Sequence, residues 1–230
     1  MIVSTKTMSA QSTPSLPAFY DSLDASLNEA WRLLADGLTD RRTAFHAPIV
    51  ASIDLQGHPT ARTMILRDAD RAHRTLIFHA DIRSAKITEL RARPSVCAIA
   101  YDAEQKIQLR ISGSITLHSD DEIANSAWAG SRAMSRLTYS VDDAPGTVIT
   151  VPTTLPAPKL EMVNDAVNDA DSDAAKEELD LVANLGRINF CVIVVHIASI
   201  EWVYLASQGN RRALFSWVGS EALEAAWLQP

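Results

Sequence analysis

The order of β-rich runs constrains the fold of this 230-residue chain more than any other feature of its sequence. The runs PIVASIDL and TARTMILR, at 48–55 and 60–67, flank the polar turn QGHP and predict a hairpin. Further runs rich in Val, Ile, Thr and aromatic residues lie at 75–80, 95–102, 106–118, 189–197, 200–206 and 211–217. Together with the hairpin, these runs predict about seven strands, most of them joined as hairpins, and therefore an antiparallel barrel.

Helical patterns occur before the first strand, at two places between strands, and in the acidic segment, where a helix to about Leu185 is expected. Apolar residues recur every three or four positions over 16–38, which predicts an amphipathic helix. A second helix is expected from Asp81 or Ser84 to about Arg93, before Pro94, and a third over about 119–135. The fold class is therefore mainly β with helices (α+β). We expect a flexible arm at 1–15 and one domain over 16–230, with an acidic insertion at about 151–185.

Glycine, cysteine and histidine usage excludes several classes of site. The glycines are at least ten residues apart, so neither GxGxxG nor GxxxxGK[ST] occurs, and side chains would have to hold any phosphate. Cys97 and Cys191 lie far apart in apolar runs, which argues against a disulfide scaffold. The six histidines form no ligand pattern, so no metal site is expected.

The formal charge of −7 arises in one segment of the chain. Residues 161–180 hold eight acids and one lysine, and the rest has twenty acids against twenty bases. A neutral body gives no reason to expect a nucleic-acid partner. No apolar run approaches the ~20 residues of a membrane span, and the N-terminus lacks the apolar core of a signal peptide. We therefore expect a soluble, cytoplasmic protein with no membrane partner.

Several cations stand where an anion could bind. Lys86 falls in the first turn of the second helix, beside Ser84, where the helix end already carries partial positive charge. A bound anion would resolve that conflict; the alternative is an exposed lysine paired with Glu89 or Asp81. Arg62 and Arg67 bracket the run at 60–67.

Two further patterns remain open on spacing alone. Gln108 lies on a long strand, and its amide would need polar partners if it were buried. Trp202 and Arg212 flank the last predicted turn and would lie near each other across the hairpin. They are either site residues or a core aromatic with a surface arginine.

Taken in order, the segments RTMILR, FHADIRSAK-ITEL-RARP, IQLRISG and EWVYLASQGNRRALF resemble the pyridoxamine 5′-phosphate oxidase family of FMN-binding split barrels. The resemblance covers about 45–140 and 187–230, and RRTAFHAPIVASID and RINF look closer to an oxidase-like branch of unassigned activity. It implies an antiparallel split β-barrel of the FMN-binding type, and a homodimer with FMN at the interface. The cofactor-binding residues implied are Arg62, Ile65, Leu66, Arg67, Ser84, Lys86, Gln108, Trp202 and Arg212. Arg62 and Lys86 would clamp the phosphate, and Trp202 and Arg212 would close the partner subunit's site.

The chain departs from the family pattern at positions that bear on the substrate. Ala85 stands where the family usually has an arginine, and His79-Ala80 replace a Tyr-Thr pair. Gln208 and Asn210 replace an Arg-x-His on the last hairpin, which puts vitamin B6 phosphate oxidation in doubt. The positions that correspond to the family's substrate-binding residues are Arg67, Trp128, Arg132 and Arg136.

The resemblance implies an FMN-binding oxidoreductase that acts on a small molecule. Hydride would pass from a C–H beside an amine or alcohol to flavin N5, and oxygen would reoxidise the flavin. No catalytic acid or base is assigned. The alternatives are an NAD(P)H-dependent flavin reductase and a non-catalytic flavin- or haem-binding protein of the same fold.

Overall fold

The computed structural model describes residues 16–150, 180–181, 183–218 and 222–230. The expected arm at 1–15 and most of the acidic insertion lie outside these residues. The helices are α1 (Leu23–Thr39), α2 (Ala85–Ala92), α3 (Glu122–Ala129) and α4 (Ala133–Arg136). The strands are β1 (Ile49–Ile53), β2 (Pro59–Thr63), β3 (Leu66–Asp70), β4 (Thr75–Asp81), β5 (Ser95–Asp102), β6 (Ile107–His118), β7 (Phe190–Tyr204), β8 (Arg211–Val218) and β9 (Ala222–Leu228).

These strands form one antiparallel sheet that divides at β7. The order is β2-β1-β5-β6-β7-β4-β3, and β8 and β9 branch from β7. One edge of β7 pairs with β6 over 192–204. Its other edge pairs with β4 over 190–196 and with β8 over 199–204. The sheet is thus not closed, and the predicted mainly β fold with an antiparallel split barrel is confirmed.

A β-bulge marks the point where β7 changes partners. Ser112 pairs with Ser199 but Gly113 pairs with Ile197, so Ala198 has no partner on β6. A Cβ at Gly113 would lie 2.1 Å from the carbonyl oxygen of His196, which is backbone. Only glycine allows the strands to approach this closely.

Three predicted elements differ from the structure. The run at 60–67 is two strands, because β2 pairs with β1 whereas β3 pairs with β4. Arg62 and Arg67 therefore lie on different strands. The runs at 189–197 and 200–206 are the single strand β7, since β6 pairs with both. The predicted helix over 119–135 divides into α3 and α4 around Gly130.

Two hydrophobic clusters surround β7. The larger one contains α1, the inner faces of the strands and the fully buried Trp202. A second cluster lies under α3 and consists of Ala124, Trp128, Phe190, Val192 and Val194. The first half of β7 is therefore buried on both faces, as its apolar pattern predicts. Among the described helices, none has the length and apolar character needed to cross a membrane.

Candidate functional site

A basic cluster forms where α2 begins. Ser84 precedes the helix, and its hydroxyl donates to the carbonyl of Asp81 at 2.6 Å and accepts from Lys86 Nζ at 3.0 Å. The pKa of Lys86 is lowered by burial and then by the positive charge of Arg62. The fold thus holds two cations close together in a partly desolvated place, an arrangement that an anion would stabilise.

Arg62 reaches this cluster from β2. Its guanidinium donates to Ser52 Oγ at 2.7 Å and to Glu89 Oε2 at 2.9 Å. The side chains of Arg62 and Glu89 are only 21% and 13% exposed, so this ion pair is shielded from solvent. The start of α2 adds partial positive charge to that of Arg62 and Lys86. This donor set suits a phosphate monoester, whereas the negative charge of Glu89 would repel one.

An open cleft of about 1130 Å³ lies between α1, the start of β3 and the α3–α4 segment. Its floor is formed by side chains of β4 and β7, namely Ile77, His79 and Val192. Ile65, Leu66 and Arg67 line one side, and Ser131, Arg132 and Ser135 line another. Within the part of the chain that the structure describes, the side chains of Arg67 and Arg132 have no hydrogen-bond or ion-pair partner. The cleft thus offers two free guanidinium groups to a ligand.

His79 lies on the cleft floor beside Arg67. Its ring packs edge-on against Phe190, with 4.8 Å between the ring centroids. Burial, followed by the charge of Arg67, lowers the pKa of His79 to about 4. The imidazole is therefore neutral at neutral pH. It can donate or accept a hydrogen bond there but adds no positive charge to the cleft.

Trp128 and Arg136 lie behind the cleft wall. Trp128 is 7% exposed, its Nε1 donates to Asn184 Oδ1 at 3.1 Å, and its ring packs against Phe190. Arg136 stacks on the Trp128 ring and donates to the carbonyl oxygens of Trp128 and Ala129. Neither side chain lines the cleft. Both fix the position of the α3–α4 segment that carries Arg132.

The remaining predicted residues lie on the other half of the sheet. Arg212 donates to Glu201, which also binds Arg110. Gln108 pairs with Val203 in the sheet and shares its face with Arg110. Trp202 points into the core, where its Nε1 is buried without a partner among the described residues. Within one chain, none of Gln108, Trp202 and Arg212 lines the cleft.

Some residues that the fold brings to the site from a distance were not predicted. Ser52 reaches the basic cluster from β1. Glu89 was considered as a partner of Lys86, but in the structure it pairs with Arg62. Arg41 and His46 line the cleft from the connection between α1 and β1. The basic character of RRTAFH was the only local signal for that pair.

Part of the chain matches the model of a known protein family. Residues 28–119 match the family model described as pyridoxamine 5′-phosphate oxidase, FMN-binding domain. The match covers about two fifths of the chain, so this segment is similar to that domain. The matched segment extends from α1 through β6 and contains the basic cluster and the Arg67 side of the cleft. The wall carrying Arg132 and the last hairpin lie beyond it.

Two curated relatives carry oxidase names. The chain is 33% identical over 88 residues to a pyridoxine/pyridoxamine 5′-phosphate oxidase of Thermosynechococcus vestitus, which covers 38% of this chain and 41% of that protein. The match therefore spans about two fifths of the cyanobacterial relative. This chain is 24% identical over 208 residues to pyridoxine/pyridoxamine 5′-phosphate oxidase 2 of Arabidopsis thaliana. The alignment covers 86% of this chain and 93% of the Arabidopsis protein.

Two solved structures share the fold of this chain. PhzG from Burkholderia lata, solved with tetrahydrophenazine-1-carboxylic acid, has a TM-score of 0.65 at 19% identity and covers 96% of this chain and 100% of its own. A pyridoxamine 5′-phosphate oxidase-related, FMN-binding protein from Nostoc punctiforme has a TM-score of 0.60 at 18% identity, covering 94% of this chain and 99% of its own. At these identities the likeness establishes the fold, which by itself does not fix the substrate.

Proposed function

We propose that this chain is an FMN-dependent oxidoreductase of the oxidase-like class, with an anionic amine or alcohol as substrate. The observation that carries the proposal is the pair Arg67 and Arg132, which line an open cleft and have no partner among the described residues. The Arg67 side of that cleft and the Arg62–Lys86 cluster lie in the segment that matches the FMN-binding domain. FMN held there would supply the hydride-acceptor chemistry, with oxygen as the oxidant that regenerates it. The protein's part is to bind, orient and exclude water.

Arg62, Ser84 and Lys86 would hold the cofactor phosphate. Lys86 uses one of its three ammonium hydrogens on Ser84 and can direct the others to phosphate oxygens. Ser52 fixes one nitrogen of the Arg62 guanidinium, so that little side-chain entropy is lost on binding. Ile65 and Leu66 connect this cluster to the cleft, where the flavin ring would lie beside them.

Arg67 and Arg132 would bind the anionic group of the substrate. A guanidinium without a protein partner forms its charge-assisted hydrogen bonds only when the ligand arrives. His79 would remain neutral and orient a polar group of the ligand, since its pKa lies at about 4. Trp128 and Arg136 would act on the substrate indirectly, through the position of the wall that carries Arg132.

We further propose that two copies of the chain complete the site as a homodimer. Gln108 and Arg212 lie on the sheet face opposite the core, together with Tyr101. Tyr101 and Ile49 on this half of the sheet are 44% and 48% exposed, which suits a face covered by a second copy. Gln108 and Arg212 would reach the partner subunit's flavin from this face, and the buried Trp202 would support their strands.

The visible absorption spectrum of the purified protein, recorded again after addition of excess FMN and desalting, tests the cofactor. Retained bands near ~450 nm, the flavin's own absorption, are expected. Oxygen uptake with pyridoxamine and pyridoxine 5′-phosphate, and NADH or NADPH consumption with free flavin, then separate an oxidase from a flavin reductase. A protein that retains no flavin under these conditions would refute the proposal.

A further inference from the structure

We infer that Glu89 competes with the cofactor phosphate for Arg62, and so sets the FMN affinity of this chain below what its two cations could provide. The inference rests on the proposed function, because it concerns the same phosphate site. Glu89 lies on α2, three residues after Lys86, and therefore on the same helix face as that lysine. It is the carboxylate paired with Arg62, whereas Asp81, whose charge also reaches Lys86, is paired with Arg83 at 2.7 Å.

The contacts of Glu89 show what a phosphate would have to displace. One carboxylate oxygen accepts from Arg62 Nη2 at 2.9 Å and from Ser52 Oγ at 3.1 Å. The Glu89 side chain is 13% exposed, so water screens its charge only weakly. Burial and Arg62 lower the pKa of Lys86, and the charge of Glu89 opposes that shift, though less than that of Asp81 does.

Charge balance gives the direction of the effect. Arg62 and Lys86 together carry two positive charges, and Glu89 offsets one of them. The nearby Asp81 adds no net charge, because Arg83 pairs with it. A phosphate monoester near neutral pH carries about −1.5 to −2 charges, and so it is attracted by the cations and repelled by Glu89. An isosteric Gln keeps the shape and a hydrogen-bond acceptor for Arg62 but removes the repulsion.

Glu89 could instead assist FMN binding, and the direction of the change in FMN affinity distinguishes the two roles. If Glu89 served to orient Arg62 toward the phosphate, removing its charge would loosen the guanidinium and weaken FMN binding. If Glu89 competes with the phosphate, removing its charge strengthens FMN binding. The measurement is therefore the direction of change in FMN affinity on Glu89→Gln.

Fluorescence titration of the deflavinated full chain with FMN and with riboflavin provides the test. Glu89→Gln should tighten FMN binding about tenfold, the effect of removing one like charge beside the site, and leave riboflavin, which has no phosphate, within about twofold. Glu29→Gln is the matched control: Glu29 forms the same kind of pair with Arg32, but on α1. It should change neither affinity.

Each outcome decides a different question. Equal FMN affinity in the wild type and the Gln variant, or weaker binding by the variant, overturns the competition and leaves the cofactor proposal standing. If neither protein binds FMN, the proposed function and the inference fall together. Should melting curves show that the Gln variant does not fold, Glu89→Asp retracts the carboxylate by one methylene and should tighten FMN binding by a smaller factor; unchanged or weaker binding in that variant overturns the inference.

Discussion

Arg132 and Arg136 are four residues apart, yet the structure assigns them different tasks, and alanine substitutions should separate them. Arg136→Ala removes two charged hydrogen bonds, at 3.0 and 2.8 Å, and the stacking on Trp128. The Arg136 side chain is 14% exposed, and at the lower end of the range for such bonds the two together give an expected loss of about 3 kcal/mol. For a domain of this size that corresponds to a decrease in Tm of about 5–10 °C.

Arg132→Ala removes no hydrogen bond or ion pair among the described residues, and the Arg132 side chain does not cap α4. Its Tm should stay within about 1–2 °C of the wild type. The KM should rise tenfold or more, because the substrate loses a charge-assisted contact of about 1.5–3 kcal/mol. It is measured with pyridoxine 5′-phosphate or with another anionic substrate that supports oxygen uptake.

Thermal unfolding followed by circular dichroism and steady-state kinetics on the same preparations measure both quantities. The expected result is a crossed pattern, in which Arg136→Ala lowers Tm more and Arg132→Ala raises KM more. If Arg132→Ala lowered Tm as far as Arg136→Ala does, Arg132 would be engaged by the protein and would not be free for a ligand. That result would refute the assignment of the cleft wall.

Three further predictions follow from single positions. Lys86→Ala and Arg62→Ala should each weaken FMN binding by about 1.5–3 kcal/mol in a fluorescence titration; unchanged affinity in both would remove the phosphate site. Burial lowers the pKa of His79 from 6.5 to about 4 in the folded protein. As the pH falls from about 6.5 to about 4, His79 therefore becomes protonated in the unfolded chain but stays neutral in the folded one. Stability should decrease over that window by about 2 kcal/mol, allowing for the partial exposure of the ring, and His79→Gln should remove this component from the pH dependence of urea midpoints. Gly113→Ala should destabilise the fold by about 3 kcal/mol or more, because its Cβ would overlap the carbonyl of His196, and a Tm unchanged from the wild type would contradict the bulge geometry.

Local patterns predicted the strands whose partners follow closely in the chain. The strand over 95–102 has the predicted bounds because its alternation and the following turn are both local signals. The break near Met64 was missed, since β-forming residues run through it and only the different partners of β2 and β3 impose it. Strand β9 was missed because ALEAAWL has weak β-propensity and pairs only with β8.

The same limit applies to the candidate site. Ser84 and Lys86 could be identified from sequence, because a cation in the first turn of a helix is a local conflict that spacing reveals. The partner of Glu89 could not, since Arg62 lies 27 residues away and the local alternative was Lys86. The burial of Trp128 depends on Phe190, which arrives from β7 after the whole acidic segment.

The cleft and the second hydrophobic cluster share their structural elements, and this links the stability of that cluster to the shape of the site. Val192 belongs to the second cluster and also forms part of the cleft floor, and Ile77 packs against that cluster from the same floor. The wall above is held by the stacking of Arg136 on Trp128. A cavity made under α3 would therefore move the wall relative to the floor, because closely packed interiors transmit such changes. Substitutions such as Trp128→Phe should accordingly alter KM together with Tm, whereas Arg132→Ala should alter KM alone.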